Sequence, residues 1–185
     1  MTLFEYLAIV YSLILSFAVI RLVGGLSQVF DPRRRYWIHA TYVCLTLFAV
    51  LGLFWAHWST RDLDWTFPAF LVNLAGPATF YFLATTIIPD DPSRVDSWRA
   101  HFFSVRVRFF GGFCAYAGIA FFNTTLLIGA PLLHPVRAIQ AGVLLLGVAG
   151  LATDRPAAHR FILLLAGVVV AITVVVLLRP GSLSA

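Results

Sequence analysis

Six apolar blocks, at roughly 3–26, 37–58, 66–88, 109–133, 136–153 and 161–178, are separated by short polar punctuation. A helix rises about 1.5 Å per residue and the hydrocarbon core of a bilayer is about 30 Å thick, so about 20 predominantly apolar residues reach across it. The pattern predicts an all-α fold, an integral membrane bundle of six transmembrane helices. No connection is long enough to hold a separate soluble domain, so residues 1–185 are expected to form a single transmembrane domain.

The first block carries the most informative polar pattern. At 100° per residue, Glu5, Ala8, Ser12, Ser16 and Ser27 fall within a wedge of roughly 100°. Lipid offers no partner to a carboxylate or a row of hydroxyls, so this seam is expected to face other protein or a wet cavity, with the remaining helices arranged around it. The same block has no basic n-region, carries Glu5 and lacks a small-x-small cleavage site before the charged turn. It therefore reads as a retained span and not as a signal peptide.

Composition agrees with the pattern: 61% of residues are hydrophobic and 11% charged, where soluble domains carry about 25%. All thirteen basic residues are arginine. On such a chain they are topology signals, and no nucleic acid is expected as a partner. Arg21 and Arg33 to Arg35 flank the turn after the first block, Arg94, Arg99, Arg106 and Arg108 the turn after the third, and Arg155 and Arg160 the turn after the fifth. Only Arg61, Arg137 and Arg179 lie opposite. By the positive-inside rule the richer turns are cytoplasmic and both termini lie outside. The lipid bilayer is the expected partner, with anionic headgroups meeting the basic turns formed by Arg33, Arg34, Arg35, Arg99, Arg106 and Arg108. Segment 93–108 mixes these arginines with Trp98, Phe102 and Phe103, which suits either an interfacial segment or the first turns of the fourth helix.

Punctuation places the spans. Gly24, Gly25 and Asp31-Pro32 stop the first. Tyr36, Trp37 and His39 open the second at one interface, and Trp55, His57 and Trp58 close it at the other. The short turn 59–65 makes the second and third helices antiparallel neighbours. Small residues cluster at Ala49/Gly52/Ala56, Gly111/Ala115/Gly118, Ala138/Gly142/Ala149 and Gly167/Ala171, which permits close helix approach and predicts a homo-oligomer. Pro77 removes one backbone hydrogen bond inside the third span, as a packing kink or as a functional helix break.

The candidate chemistry is sparse. By depth, Glu5, Ser12, His57, Asn73, Asn123 and Gln140 fall in the outer half of the membrane, and Glu5, Ser12, Asn73, Asn123 and Gln140 are expected to line an outward polar vestibule. The competing expectation is that each group bonds an adjacent helix, at about 0.6 kcal/mol apiece. His39, His101 and His159 lie at the inner boundary and His57 and His134 at the outer one, but no pair has a ligand spacing such as HxxxH; no metal or cofactor is expected. Cys44 and Cys114 belong to no CxxC pattern and are expected to pack as small hydrophobes without a disulfide. There is no GxSxG, no HExxH and no paired carboxylate within the spans, so no catalytic residue is assigned and an enzyme is the less favoured class. Glu5 and Arg21 lie about 24 Å apart on opposite faces of one helix and cannot pair within it.

The run from Phe4 to Gly25, the Arg-Tyr-Trp-Ile-His at 35–39, Phe54-Trp55, the Trp-Thr-Phe at 65–67 and the exit Ile88-Pro89-Asp90 resemble a group of small bacterial multi-span inner-membrane proteins. The resemblance covers about two-thirds of the chain and implies a bacterial inner-membrane setting. It carries no activity and no functional residue. Two functions are consistent with these features: a channel or transporter-like unit for a small solute or ion, and a non-catalytic membrane partner or sensor that docks a cytoplasmic protein through its Arg-rich turns.

Overall fold

In the computed structural model, which describes residues 2–177, six helices follow one another up and down: α1 Leu3–Val29, α2 Trp37–His57, α3 Phe67–Ile87, α4 Trp98–Leu126, α5 Val136–Ala152 and α6 Pro156–Leu177. Short 3-10 turns at Trp58–Thr60 and Pro92–Arg94 complete the connections, and no strand occurs among the described residues. Leu178, Arg179 and Pro180, at which the sequence closes its last span, lie outside the described residues. Below, the N-terminal end of the bundle is the one where α1 begins; the other is the far end.

Five helices are long and apolar enough to cross a membrane, and α5 is the exception. Its 17 residues reach about 25 Å, short of a 30 Å core. The fourth helix departs most from the block boundaries. It is one continuous helix of 29 residues, about 43 Å long, so segment 98–108 belongs to the helix and 127–133 to the loop after it. The cause lies in its buried stripe. Trp98, Phe102, Val105 and Phe109 are spaced by four, three and four and all turn inward, so residues expected at an interface become core. Ser97 caps the start, its side chain accepting from the Ala100 amide.

The first helix is apolar on both sides. Leu7, Tyr11, Leu15, Ala18, Leu22, Gly25 and Val29 form its buried stripe, against α2 and α3. Leu3, Tyr6, Ile9, Leu13, Phe17 and Ile20 are each more than half exposed on the outer side. In water an apolar face of that extent is a liability; against acyl chains it costs nothing. The polar seam does not turn inward. Ser16 and Ser27 are exposed and Ser12 only half-buried. The Ser12 hydroxyl donates to the Ala8 carbonyl at 2.6 Å and the Ser16 hydroxyl to the Ser12 carbonyl at 2.7 Å. A helical serine satisfies itself on the turn before it, so the seam requires no partner and packing shape decides the inner face. Glu5 closes a capping box: the Thr2 amide donates to its carboxylate at 2.8 Å while its own amide donates to the Thr2 hydroxyl at 3.2 Å.

Arginine side chains tie the helix ends together. Arg106 of α4 donates to the carbonyls of Gly150, Leu151 and Thr153 at 2.7, 2.9 and 2.7 Å, closing the C-terminus of α5. Arg137, in the first turn of α5, donates back to the Phe121 carbonyl at 3.2 Å, to the Thr124 and Thr125 hydroxyls at 2.7 and 2.9 Å, and to the Ala130 carbonyl at 2.7 Å. Arg21 donates to the Ile88 carbonyl at 3.0 Å and pairs with Asp90, at the end of α3. Arg34 donates to the carbonyls of Ser93 and Val95, both at 2.9 Å. A cation at a helix C-terminus meets both the orphan carbonyls and the negative end of the helix dipole. Between these clasps α5 lies tightly on α4: a Cβ at Gly147 would meet Cys114, and one at Gly150 would run into the Phe110 ring.

The small-residue faces read from the sequence are mostly not the close contacts. A Cβ at Gly52, Gly111, Gly118 or Gly167 would meet nothing within 4 Å. Cys44 is exposed and Cys114 half-buried, and both are free thiols.

Replacing Arg106 with Ala leaves three carbonyls without their donor and is expected to destabilise the fold by about 2 kcal/mol, with Arg106→Lys recovering part of that, measured as the unfolding midpoint in detergent. In the turn after α1, the Arg33 amide, which donates to Asp31 at 3.0 Å, holds the Asp31 carboxyl below the ordinary carboxylate range, helped by Arg34. A carboxyl whose pKa is lowered by folding stabilises above its unfolded value and loses that contribution as pH falls through the folded one. The Arg33 amide is therefore expected to lose hydrogen-exchange protection below about pH 4, and in Asp31→Ala, which removes the acceptor, at neutral pH as well.

Candidate functional site

Asn73 sits two turns into α3, placed there by the Thr66 cap and Pro68 in the first turn. Its helix is continuous through Pro77, which is buried. Proline has no amide hydrogen, so the Asn73 carbonyl lacks the donor four residues on. Asn123 occupies the last turn of α4, and Gln140 the second turn of α5. These three residues converge on one cavity of about 170 Å³ at the N-terminal end of the bundle. Glu5 and Ser12 do not line it: Glu5 is held in the capping box and Ser12 turns its hydroxyl onto α1 itself.

Further polar groups at the cavity are His57, Thr60, Thr124 and the rings of Tyr11 and Tyr116. His57 is 6% exposed and is clamped between two aromatic rings of α1, Tyr11 at 3.8 Å and Phe4 at 5.2 Å between centroids. Its Nδ1 lies 3.3 Å from the Thr60 hydroxyl and 3.5 Å from the Asn73 amide nitrogen. Its Nε2 has no hydrogen-bond partner among the described residues, and neither has the Asn123 Oδ1. Gln140 is satisfied: its amide donates to the Ala120 carbonyl and the Thr124 hydroxyl, both at 3.0 Å, and its oxygen accepts from Arg137 at 3.0 Å. Both unpartnered atoms are buried and belong to residues that line the cavity, and the Arg137 guanidinium beside it is engaged by Thr124 and Gln140.

A second, larger hollow of about 310 Å³ adjoins the first, with Leu53, Ala56, Ser59, Tyr116, Thr124 and Val143 among the residues that border both. It runs between α2, α4, α5 and α6 along Ala49, Gly52, Leu146 and Val169 down to Tyr42 and Phe110. There it ends on aromatic core. Tyr42 stacks on Phe102 at 5.5 Å and meets Phe110 edge-on at 5.3 Å. The Phe110 ring in turn stacks on His159 at 5.5 Å.

The far-end histidines are part of this plug. His39 is fully buried and stacks on Trp98 at 4.7 Å, with His101 edge-on at 5.8 Å. His101 and His159 each place Nε2 against a backbone carbonyl, Ile87 at 3.2 Å and Thr153 at 3.1 Å. Among the described residues no group of three His, Cys, Asp or Glu side chains is placed to hold a metal ion. Of the arginines read as a basic surface, Arg34 and Arg106 are spent on carbonyls inside the fold, whereas Arg33, Arg35, Arg99 and Arg108 are exposed.

No family model, curated protein or solved structure matches the chain. Its class is therefore defined by its own architecture: six apolar helices with a polar cavity at one end and a closed aromatic core at the other. The sequence missed Tyr11, Thr60, Tyr116 and Thr124 as lining residues; Tyr11 was legible only as part of a stripe at 7, 11, 15 and 18, which gives burial but not what the ring covers.

With Cys44 and Cys114 changed to Ala, Asn123→Cys is expected to react with a water-soluble, membrane-impermeant thiol reagent added to one side of a vesicle. Ser16→Cys, facing outward from α1, is expected to resist it, because lipid suppresses the reactive thiolate.

Proposed function

We propose that the protein is a multi-pass integral membrane protein that takes a small molecule into a blind vestibule at its N-terminal end, acting as a transporter-like unit and not as an open channel. The observation that carries this reading is the meeting of Asn73, Asn123 and Gln140, from three helices, with the buried, unpartnered His57 nitrogen at one cavity. Gln140 spends its amide on Ala120 and Thr124 of α4, but a closed interhelical network would also satisfy the His57 Nε2 and the Asn123 Oδ1, which have no partner among the described residues. A through-pore is disfavoured by the stacked rings of Tyr42, Phe102 and Phe110 beneath the hollow. Movement of a cargo then requires a rearrangement of helices around the cavity, and α2 and α5 are the elements with space between them.

The proposal includes the orientation given by arginine distribution, with the vestibule outside and the exposed Arg33, Arg35, Arg99 and Arg108 at anionic headgroups on the cytoplasmic side. It includes α5 as a sixth crossing, since α4 and α6 run in the same direction and α5 returns the chain between them.

Proteoliposomes challenged with ions, small uncharged solutes and lipid-like amphiphiles are expected to move at least one uncharged compound faster than empty vesicles do. Asn73→Leu is expected to slow that movement by about tenfold, the worth of one buried hydrogen bond at the site. Inertness across the whole panel would count against transport.

A further inference from the structure

The vestibule and the apolar hollow beside it have complementary chemistry, and their placement relative to a bilayer is that of a lipid's two halves. The polar groups His57, Asn73, Asn123 and Gln140 all lie within about two turns of the helix ends that meet at the N-terminal end of the bundle. Exposed Trp55 and Trp58 flank the same end, as interfacial tryptophans do. From there the hollow descends along α2 from Ala56 to Tyr42, about 21 Å at 1.5 Å per residue, somewhat more than one leaflet's half of a 30 Å core.

We infer that this pair of cavities is a binding site for a single-chain amphiphile with an uncharged, hydroxyl-bearing head, the head in the vestibule and the aliphatic chain in the hollow. The inference rests on the vestibule reading above and names the class of molecule that the vestibule takes. The head is uncharged because no free charge faces it. The Arg137 guanidinium, at the edge of the site, already donates to Phe121, Thr124, Thr125, Ala130 and Gln140. What remains without a partner is the buried His57 Nε2 and the buried Asn123 Oδ1. A hydroxyl can both donate and accept, so a head with hydroxyl groups serves either atom. The chain is single because a hollow of about 310 Å³ stands at the small end of ligand sites, about 300–1,000 Å³. A helix from a second copy, about 10 Å across, is a poor match to that space. The small residues Ala49, Gly52 and Ala56 form one wall of it, and a Cβ at Gly52 meets nothing within 4 Å. The face read from the sequence as a helix contact is thus the floor of a binding groove.

The test uses the full chain in phosphatidylcholine nanodiscs doped with monopalmitoylglycerol, followed by native mass spectrometry. Parallel samples carry palmitoyl lysophosphatidylglycerol, which has the same chain under a charged head, or glycerol, which is a head alone. One monopalmitoylglycerol per chain is expected to remain bound, about tenfold above the charged analogue, with glycerol not retained. Gly52→Phe, whose Cβ meets nothing within 4 Å and whose ring would occupy the groove, is expected to abolish retention, and Ala56→Phe, on the next turn, to do the same should the first variant fold poorly. Asn123→Leu is expected to lower retention about tenfold. Equal retention by the parent and both Phe variants would mean lipid on the outer surface and would overturn the inference. So would equal retention of the charged analogue, or a dimer that Gly52→Phe splits into monomers, since a second copy would then fill the groove. Should Asn123→Cys label from water while no amphiphile is retained, the vestibule stands and the amphiphile falls. Should neither occur, both fall together.

Discussion

A backbone carbonyl at the end of a helix has no intrahelical donor, and in apolar surroundings it has no water either; leaving one unpaired costs about 1–3 kcal/mol. Four arginines answer that constraint here. Arg21 serves the end of α3, Arg34 the turn that follows it, Arg106 the end of α5 and Arg137 the end of α4. The guanidinium suits the task because it offers several donors in a fixed plane and remains charged. Arg106 and Arg137 act as a reciprocal pair, one at each end of the α4 and α5 contact, and they fix a helix of 17 residues, shorter than the about 20 that a bilayer core requires.

The cavity follows from that clasp. With α5 held against α4, and α2 meeting α4 through Tyr42 and the rings of Phe102, Phe109 and Phe110 at the far end, the space between α2 and α5 widens toward the N-terminal end. Small residues on α2 leave it unfilled. The polar side chains gather at the mouth of the wedge because the loops that bound it, 58–66 and 127–135, are where helices begin and end.

The two ends of the bundle treat buried polar groups differently. At the far end His39 and Tyr36 carry ring nitrogens or a hydroxyl with no partner among the described residues and pack against aromatic rings, while the equally unpartnered Tyr42 closes the floor of the larger hollow. Their stacking gives rigidity to the plug and identifies no ligand. At the N-terminal end the unpartnered atoms of His57 and Asn123 are equally buried, but their residues line one cavity together with Asn73 and Gln140.

Sequence alone determined the helices, their order and the up-down path, because crossing an apolar medium demands about 20 apolar residues at a stretch and that demand is local. It also placed Asn73, Asn123 and Gln140 at a common depth, since depth is only a count of residues at 1.5 Å each. It could not choose which face of α1 turns inward. A helix apolar on all sides has no preferred face of its own, and serine hydroxyls bonded to their own helix remove the polar signal. Nor could it foresee that Arg34 and Arg106 are used inside the fold, that Trp98 and Phe102 are core, or that Gly52 faces a groove instead of a helix. Those outcomes depend on how far apart neighbouring helices stand, and only side chains meeting across the whole bundle set that distance.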